Sequence, residues 1–286
     1  MADITFEYIE TNGIRLHTAA AGPEDGGLVV LLHGFPEFWY GWRHQIERLA
    51  DLGYRVIAPD QRGYNLSDKP SGVENYTLNK LRDDIIGLIR HHNRNKAVII
   101  GHDWGGAVGW HLASTRPEYV EKLIPINIPH PAVMPKILAV EPQQWIKSSY
   151  MLFFQMAETP EKALRANDFL AMEKALLKSS RPDVFSPEDI KKYKEAWSQP
   201  WALTTMLNWY RSIAKSGKTH GMDNNVPVPV QIIWGADDAF LSKNLPKESL
   251  KLCLDGKFVL VEEATHWVHH EQPEIVNRII EDFLAE

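Results

Sequence analysis

The chain has 286 residues, 44% hydrophobic and 24% charged, which is the balance of an ordinary globular protein with enough length to bury a large core. A formal charge of -6 leaves no footprint for nucleic acid or an acidic membrane, and the densest basic group, Lys191-Lys192-Tyr193-Lys194, reads as a solvated helix face. The single cysteine, Cys253, excludes an internal disulfide and reads as a small buried hydrophobe; no apolar run approaches the roughly 18 residues of a membrane span, the acidic N-terminus is unlike a signal peptide, and a cytoplasmic protein is expected.

In chain order, residues 6–10 and 14–20 predict a leading hairpin joined at Asn12-Gly13. Apolar runs at 28–32, 54–58, 97–100 and 122–126 predict buried strands, and so do 230–234 and 258–261 towards the end. Helices are expected at 78–92, with Leu81, Ile85, Leu88 and Ile89 on one face, at 105–115, and at 275–283. His91 and His92 suit the negative pole at the end of the first of these helices. Continuous apolar strands alternating with helices predict an α/β fold, a mostly parallel sheet covered on both faces.

Between residues 131 and 225 the strand-like runs stop, and helical segments rich in Trp145, Tyr150, Phe153, Phe154, Trp197, Trp201, Trp209 and Tyr210 take over. Residues 1–130 and 226–286 are therefore expected to form the sheet domain, with 131–225 a helical insertion. A lid is the sharper reading of that insertion, because insertions after parallel strands lie where such sheets bind ligands.

Ile100-Gly101-His102-Asp103-Trp104-Gly105-Gly106 joins a buried strand to a helix of small residues. That is the setting of a nucleophile elbow, in which one side chain is held at the top of the sheet. Here the central residue is Asp103 rather than serine. A carboxylate is already ionised near neutral pH and can displace a leaving group from a saturated carbon, forming an ester with the enzyme. The competing reading is a structural aspartate capping the next helix.

His33-Gly34-Phe35-Pro36 follows an earlier strand, where this architecture carries an oxyanion donor, and the backbone N–H groups of Phe35 and Trp104 are assigned to that task. The base is expected after the final strand, at His266 in Ala264-Thr265-His266-Trp267, with His269 and His270 read as surface residues and a His266/His269 metal pair set aside for want of further ligands. The acid that orients the histidine falls in Trp234-Gly235-Ala236-Asp237-Asp238, which leaves two candidates. The order nucleophile, acid, histidine is that of α/β hydrolases. No cofactor or metal is implied.

Taken together, His33-Gly34-Phe35-Pro36-Glu37, Asp60-Gln61-Arg62-Gly63-Tyr64, Gly101-His102-Asp103-Trp104-Gly105-Gly106 and His266-Trp267 resemble the epoxide hydrolase branch of the α/β-hydrolase superfamily, over most of the chain. The resemblance implies an α/β-hydrolase fold with a helical cap, and a small epoxide and water as reactants. It selects Asp238, the last place of a Gly-x-x-Asp pattern. It also implies a pair of lid tyrosines, which Tyr150 and Tyr210 match. Two phenolic O–H groups can hold an epoxide oxygen and protonate the alkoxide formed on ring opening. Phe35, Trp104 and both tyrosines are then expected to contact substrate, whose apolar or aryl character follows from the aromatic lid. A monomer and a homodimer are both compatible.

The nearest rival is haloalkane dehalogenase, which shares an aspartate elbow followed by tryptophan. Phe35 offers no side-chain donor to a departing halide, and a halide has no need of protonating tyrosines. A non-catalytic scaffold on the same fold would have no need of all these groups.

Overall fold

The expected hairpin opens the chain as β1 (Thr5–Thr11) and β2 (Ile14–Ala21). Its two-residue turn holds Asn12 and Gly13 at φ of 46° and 76°. Both values are positive, as in the type I′ turn whose twist matches that of paired strands. These details come from a computed structural model that describes residues 3–216 and 225–286. The first two residues of the acidic N-terminus and positions 217–224 of the expected helical insertion lie outside the described residues.

The remaining strands are β3 (Leu28–Leu32), β4 (Arg55–Pro59), β5 (Ala97–His102), β6 (Val120–Ile126), β7 (Val226–Gly235) and β8 (Cys253–Val261). They form one eight-stranded sheet in the order β1-β2-β4-β3-β5-β6-β7-β8. β1 and β2 pair antiparallel, as do β2 and β4, and the pairs from β4 through β8 are parallel. This is the α/β-hydrolase fold. β7 starts four residues before the expected strand and takes in Pro227 and Pro229. Proline cannot donate to a ladder, and the register with β8 shifts between Val226 and Pro229, where those prolines lie.

Side chains of a strand alternate between faces, and the two cores follow from that alternation. Val29 and Leu31 of β3 pack on one side with α1 (Arg43–Asp51) and α12 (Pro273–Ala285), through Ile46, Leu49, Val276, Ile280 and Phe283. Leu28, Val30 and Leu32 face the other side with α2 (Leu78–His91) and α3 (Trp104–Thr115). The predicted face of α2, with Leu81, Ile85, Leu88 and Ile89, is the face that is buried. Full burial of such side chains contributes about 1.5–3 kcal/mol each. Cys253 is half-buried, less enclosed than expected, because it begins a strand at the sheet's edge.

Between β6 and β7 the described residues form α4 (Met134–Val140), α5 (Pro142–Lys147), α6 (Tyr150–Phe154), α7 (Thr159–Ser179), α8 (Pro187–Ser198) and α9 (Ala202–Ser216). The last two are tied to loops of the sheet layer by side-chain donors. Trp197 Nε1 donates to Pro36 O at 2.6 Å, Trp209 Nε1 to Arg62 O at 3.0 Å, and Ser212 Oγ to Tyr76 O at 2.8 Å. No helix among the described residues is long and apolar enough to cross a membrane.

Candidate active site

Asp103 sits between β5 and α3 with φ 49° and ψ -123°, a conformation unfavourable for any residue with a Cβ. Its surroundings impose the turn. A Cβ on Gly105 would lie 2.1 Å from Leu32 O, and one on Gly101 2.6 Å from the backbone of Gly105. A Cβ on Gly34 would lie 2.4 Å from that of Asp103, so the loop after β3 closes directly on the aspartate. Across that contact, Phe35 N–H donates to Asp103 Oδ1 at 2.9 Å. Asp103 makes no side-chain bond to the start of α3, so the helix-capping reading is not what the side chain does. Trp104, the first residue of α3, has no acceptor for its N–H within the helix.

His266 lies in the turn after β8 and Asp238 in the turn after β7. His266 Nδ1–H donates to Asp238 Oδ2 at 2.8 Å. Asn127 Nδ2 donates to the same oxygen at 2.7 Å, and Oδ1 accepts from Phe240 N at 2.7 Å and Leu241 N at 2.9 Å. Asp237 is exposed and paired with Arg181. Burial alone would raise the Asp238 pKa, but His266 and these donors outweigh it and hold the carboxyl low. For His266, burial disfavours the cation, yet Asp238 next to it, then Asp103 and Glu37, raise its pKa above the ordinary value. His266 Nε2 is 3.7 Å from Asp103 Oδ2.

Above these groups lies a cavity of about 200 Å³, lined by Phe35, Asp103, Tyr150, Tyr210, Phe240, His266 and Trp267, with Leu164, Met172, Ala175 and Leu176 contributed by α7. The Tyr150 and Tyr210 ring centroids are 6.1 Å apart. Tyr210 stands edge-on to Trp104 at 4.9 Å and to Phe35 at 5.4 Å. Burial, and for both the charge of Asp103, raise the two phenol pKa values, so both hydroxyls stay protonated near neutral pH.

Beneath His266 is a polar cluster that the sequence reading missed. Glu37 is fully buried and accepts from His102 Nδ1 at 3.0 Å, His270 Nε2 at 2.6 Å and Tyr193 OH at 2.8 Å. Burial alone would raise the Glu37 pKa; the His270 ring and the His102 bond outweigh it and hold the carboxyl well below its ordinary range. His102 Nε2–H in turn donates to the backbone carbonyl of His266 at 2.8 Å. His269 and His270, read from sequence as surface residues, are both buried, because the chain turns into α11 (Val268–Glu271) and packs them against Trp42 and Phe185. Glu37, His269 and His270 lie close enough together to suggest a metal site. However, Arg43 donates to His270 Nδ1 at 3.0 Å while Nε2–H donates to Glu37, so neither ring nitrogen of His270 has a lone pair to give. The signals available in sequence were slight: a charged residue in the apolar stretch 35–42, and Asn127 directly after an apolar strand.

The α/β hydrolase fold family model matches residues 27–273. The AB hydrolase superfamily protein YfhM of Bacillus subtilis is 57% identical over 99% of both chains. Human epoxide hydrolase 4 is 40% identical, covering 97% of this chain and 78% of its own. Among solved structures, the Bacillus megaterium epoxide hydrolase in complex with an inhibitor superposes with a TM-score of 0.89 at 32% identity, covering 98% of this chain and 100% of that one.

Proposed function

The chain belongs to the α/β hydrolase fold family and, within it, to the epoxide hydrolases; on that footing we propose that it converts epoxides to vicinal diols in two covalent steps. The observation that carries the reading is a carboxylate with divided surroundings. Asp103 Oδ1 accepts from Phe35 N–H, while Oδ2 is turned toward His266 beneath two protonated phenols.

In the first step Oδ2 attacks an epoxide carbon, the carbon–oxygen bond of the ring breaks, and the departing oxygen takes a proton from the Tyr150/Tyr210 pair. In the second, His266 Nε2 removes a proton from water, which attacks Cγ of Asp103. Negative charge builds on Oδ1, where the N–H groups of Phe35 and Trp104 stabilise it. Collapse of this intermediate expels the alkoxide carrying Oδ2, which takes the remaining proton of the attacking water to become the diol and leaves Asp103 ionised, while the proton on His266 restores the tyrosine pair. Asp238 fixes the imidazole tautomer and stabilises the imidazolium. Residues 131–225 serve as the cap, and 1–130 with 226–286 as the catalytic domain.

Apart from the reacting groups and Ser179 the cavity walls are apolar, which suits an apolar or aryl-substituted epoxide. Phe35 has no polar side chain for a halide, and two protonated phenols over the carboxylate serve a departing alkoxide, which needs a proton, better than a halide, which does not; the pocket therefore favours the epoxide reading over the dehalogenase one. The test is incubation with an aryl epoxide and, separately, a haloalkane. Diol without halide is expected, and a His266→Gln variant should accumulate an adduct seen as added mass on the intact protein. Halide release, or normal turnover by that variant, would overturn the reading.

A further inference from the structure

α5 of the helical segment reaches across to the turn that carries Asp238. Gln144, fully buried, accepts from Ser242 N–H at 2.8 Å through Oε1 and donates from Nε2 to Phe240 O at 2.9 Å. Three residues on, Lys147 Nζ donates to Asp238 O at 2.6 Å and Leu241 O at 3.3 Å. The turn from 238 to 242 is thereby held from outside by its own backbone groups. On its inner side, Phe240 N–H and Leu241 N–H donate to Asp238 Oδ1, fixing the carboxylate. Phe240 also places its ring edge-on to the His266 imidazole at 5.1 Å and to Tyr150 at 6.0 Å.

Gln144 does not line the cavity and is too far along the chain of contacts to touch substrate. An amide suits its place for a definite reason: Ser242 needs an acceptor, Phe240 needs a donor, and only a carboxamide offers both in one plane. Both bonds are part-buried, where an unpaired backbone group is only partly compensated by solvent, so the turn relaxes when the amide is removed.

We propose that Gln144 is a positioning residue for the second half-reaction, locking the 238–242 turn of the sheet domain to the helical segment so that Asp238 and Phe240 hold His266 in line with the Asp103 ester. The proposal rests on the two-step reading above. It assigns Gln144 to hydrolysis of the ester and not to its formation, because Asp103, Phe35 and Tyr210 have no hydrogen bond to this turn. Tyr150, on the neighbouring helix, meets the turn through the Phe240 ring.

The test is single-turnover kinetics on native protein, Gln144→Leu, Gln144→Glu and, as a control at the same contact, Asn244→Ala, which removes only the exposed bond to Glu141. Adduct formation should proceed at the native rate in all four. Breakdown of the adduct should slow by about ten- to a hundredfold in Gln144→Leu, the cost of slight misplacement of a catalytic group, and stay native in Asn244→Ala. The glutamate keeps the acceptor for Ser242 and, when ionised, loses the donor to Phe240, so its breakdown rate should fall between. The proton on His266 Nδ1 gives a second readout: its low-field NMR resonance should shift or broaden in Gln144→Leu. If Gln144→Leu does not fold, Gln144→Glu, of the same shape, decides the matter. Native breakdown rates and an unmoved resonance in the folded variants would overturn the positioning role. Absence of any adduct from native protein under rapid quench would instead count against the two-step reading itself.

Discussion

His266 Nε2 stands 3.7 Å from Asp103 Oδ2, beyond hydrogen-bonding range, while its Nδ1–H is committed to Asp238 at 2.8 Å. The imidazole is thus tethered by the acid and leaves its free lone pair facing the carboxylate without being bonded to it. That arrangement suits a base that acts on water beside an Asp103 ester rather than on Asp103 itself.

The tether makes Asp238→Asn a sharp test. An amide can present its N–H to Nδ1 and so favour the wrong tautomer, and turnover should fall by about 10³–10⁴-fold. On the proposed mechanism the loss falls on ester breakdown, so the adduct should accumulate. The pH profile carries the same information. On that mechanism hydrolysis needs neutral His266. Burial opposes its cation, but its pKa is raised chiefly by Asp238, a charge that survives when Asp103 is esterified, so the rate should climb with pH as His266 loses its proton. Without the Asp238 charge the midpoint of that climb should drop. A midpoint unmoved by the substitution would show that another group is being titrated.

Tyr150→Phe and Tyr210→Phe should each slow adduct formation by about a hundredfold, the lower end of general-acid effects, and together by much more. The rate should be read as appearance of the adduct in a His266→Gln background, where breakdown does not interfere. Near-native alkylation in the double variant would remove the tyrosines from the mechanism.

Asp103 occupies backbone geometry that glycine tolerates and other residues resist. Asp103→Gly should therefore be more stable to thermal unfolding than Asp103→Ala, by about 1 kcal/mol or more, and on the proposed mechanism both should be inactive. Equal melting temperatures would mean that the elbow stores no strain.

The Glu37 cluster predicts acid sensitivity. A carboxyl whose pKa is depressed in the folded state adds stability above its unfolded pKa of about 4.3, and that contribution is lost as pH falls through the folded value. Urea titrations of the native protein should show stability declining below roughly pH 4.3, and Glu37→Gln should be less stable at pH 7 with a flatter acid limb. An acid limb identical in the two proteins would assign the decline to other carboxylates.

The strands from Leu28 to Val261 and the face of α2 were legible because alternation and helical spacing are local properties, expressed within a few residues. The length of β7 was not, since Pro227 and Pro229 argue against a strand by every local rule, and a register shift permits it. His269 and His270 were misjudged for a related reason: two polar residues beside a turn give no sign of being buried until the partners of that burial are known.

Asp103, its flanking glycines, and the order of nucleophile, acid and histidine belong to the sequence by itself, because an elbow is a matter of steric bulk between adjacent residues and its chemistry is that of one side chain. The resemblance already chose Asp238 over its neighbour, but spacing left both aspartates open; tertiary structure alone decided which oxygen of Asp103 faces His266, and that a buried glutamate lies below. Those outcomes depend on desolvation and hydrogen bonds between groups far apart in the chain. His102 is 65 residues from Glu37, and His270 is 233 residues from it. No local pattern encodes a contact whose energy exists only once both partners have left water.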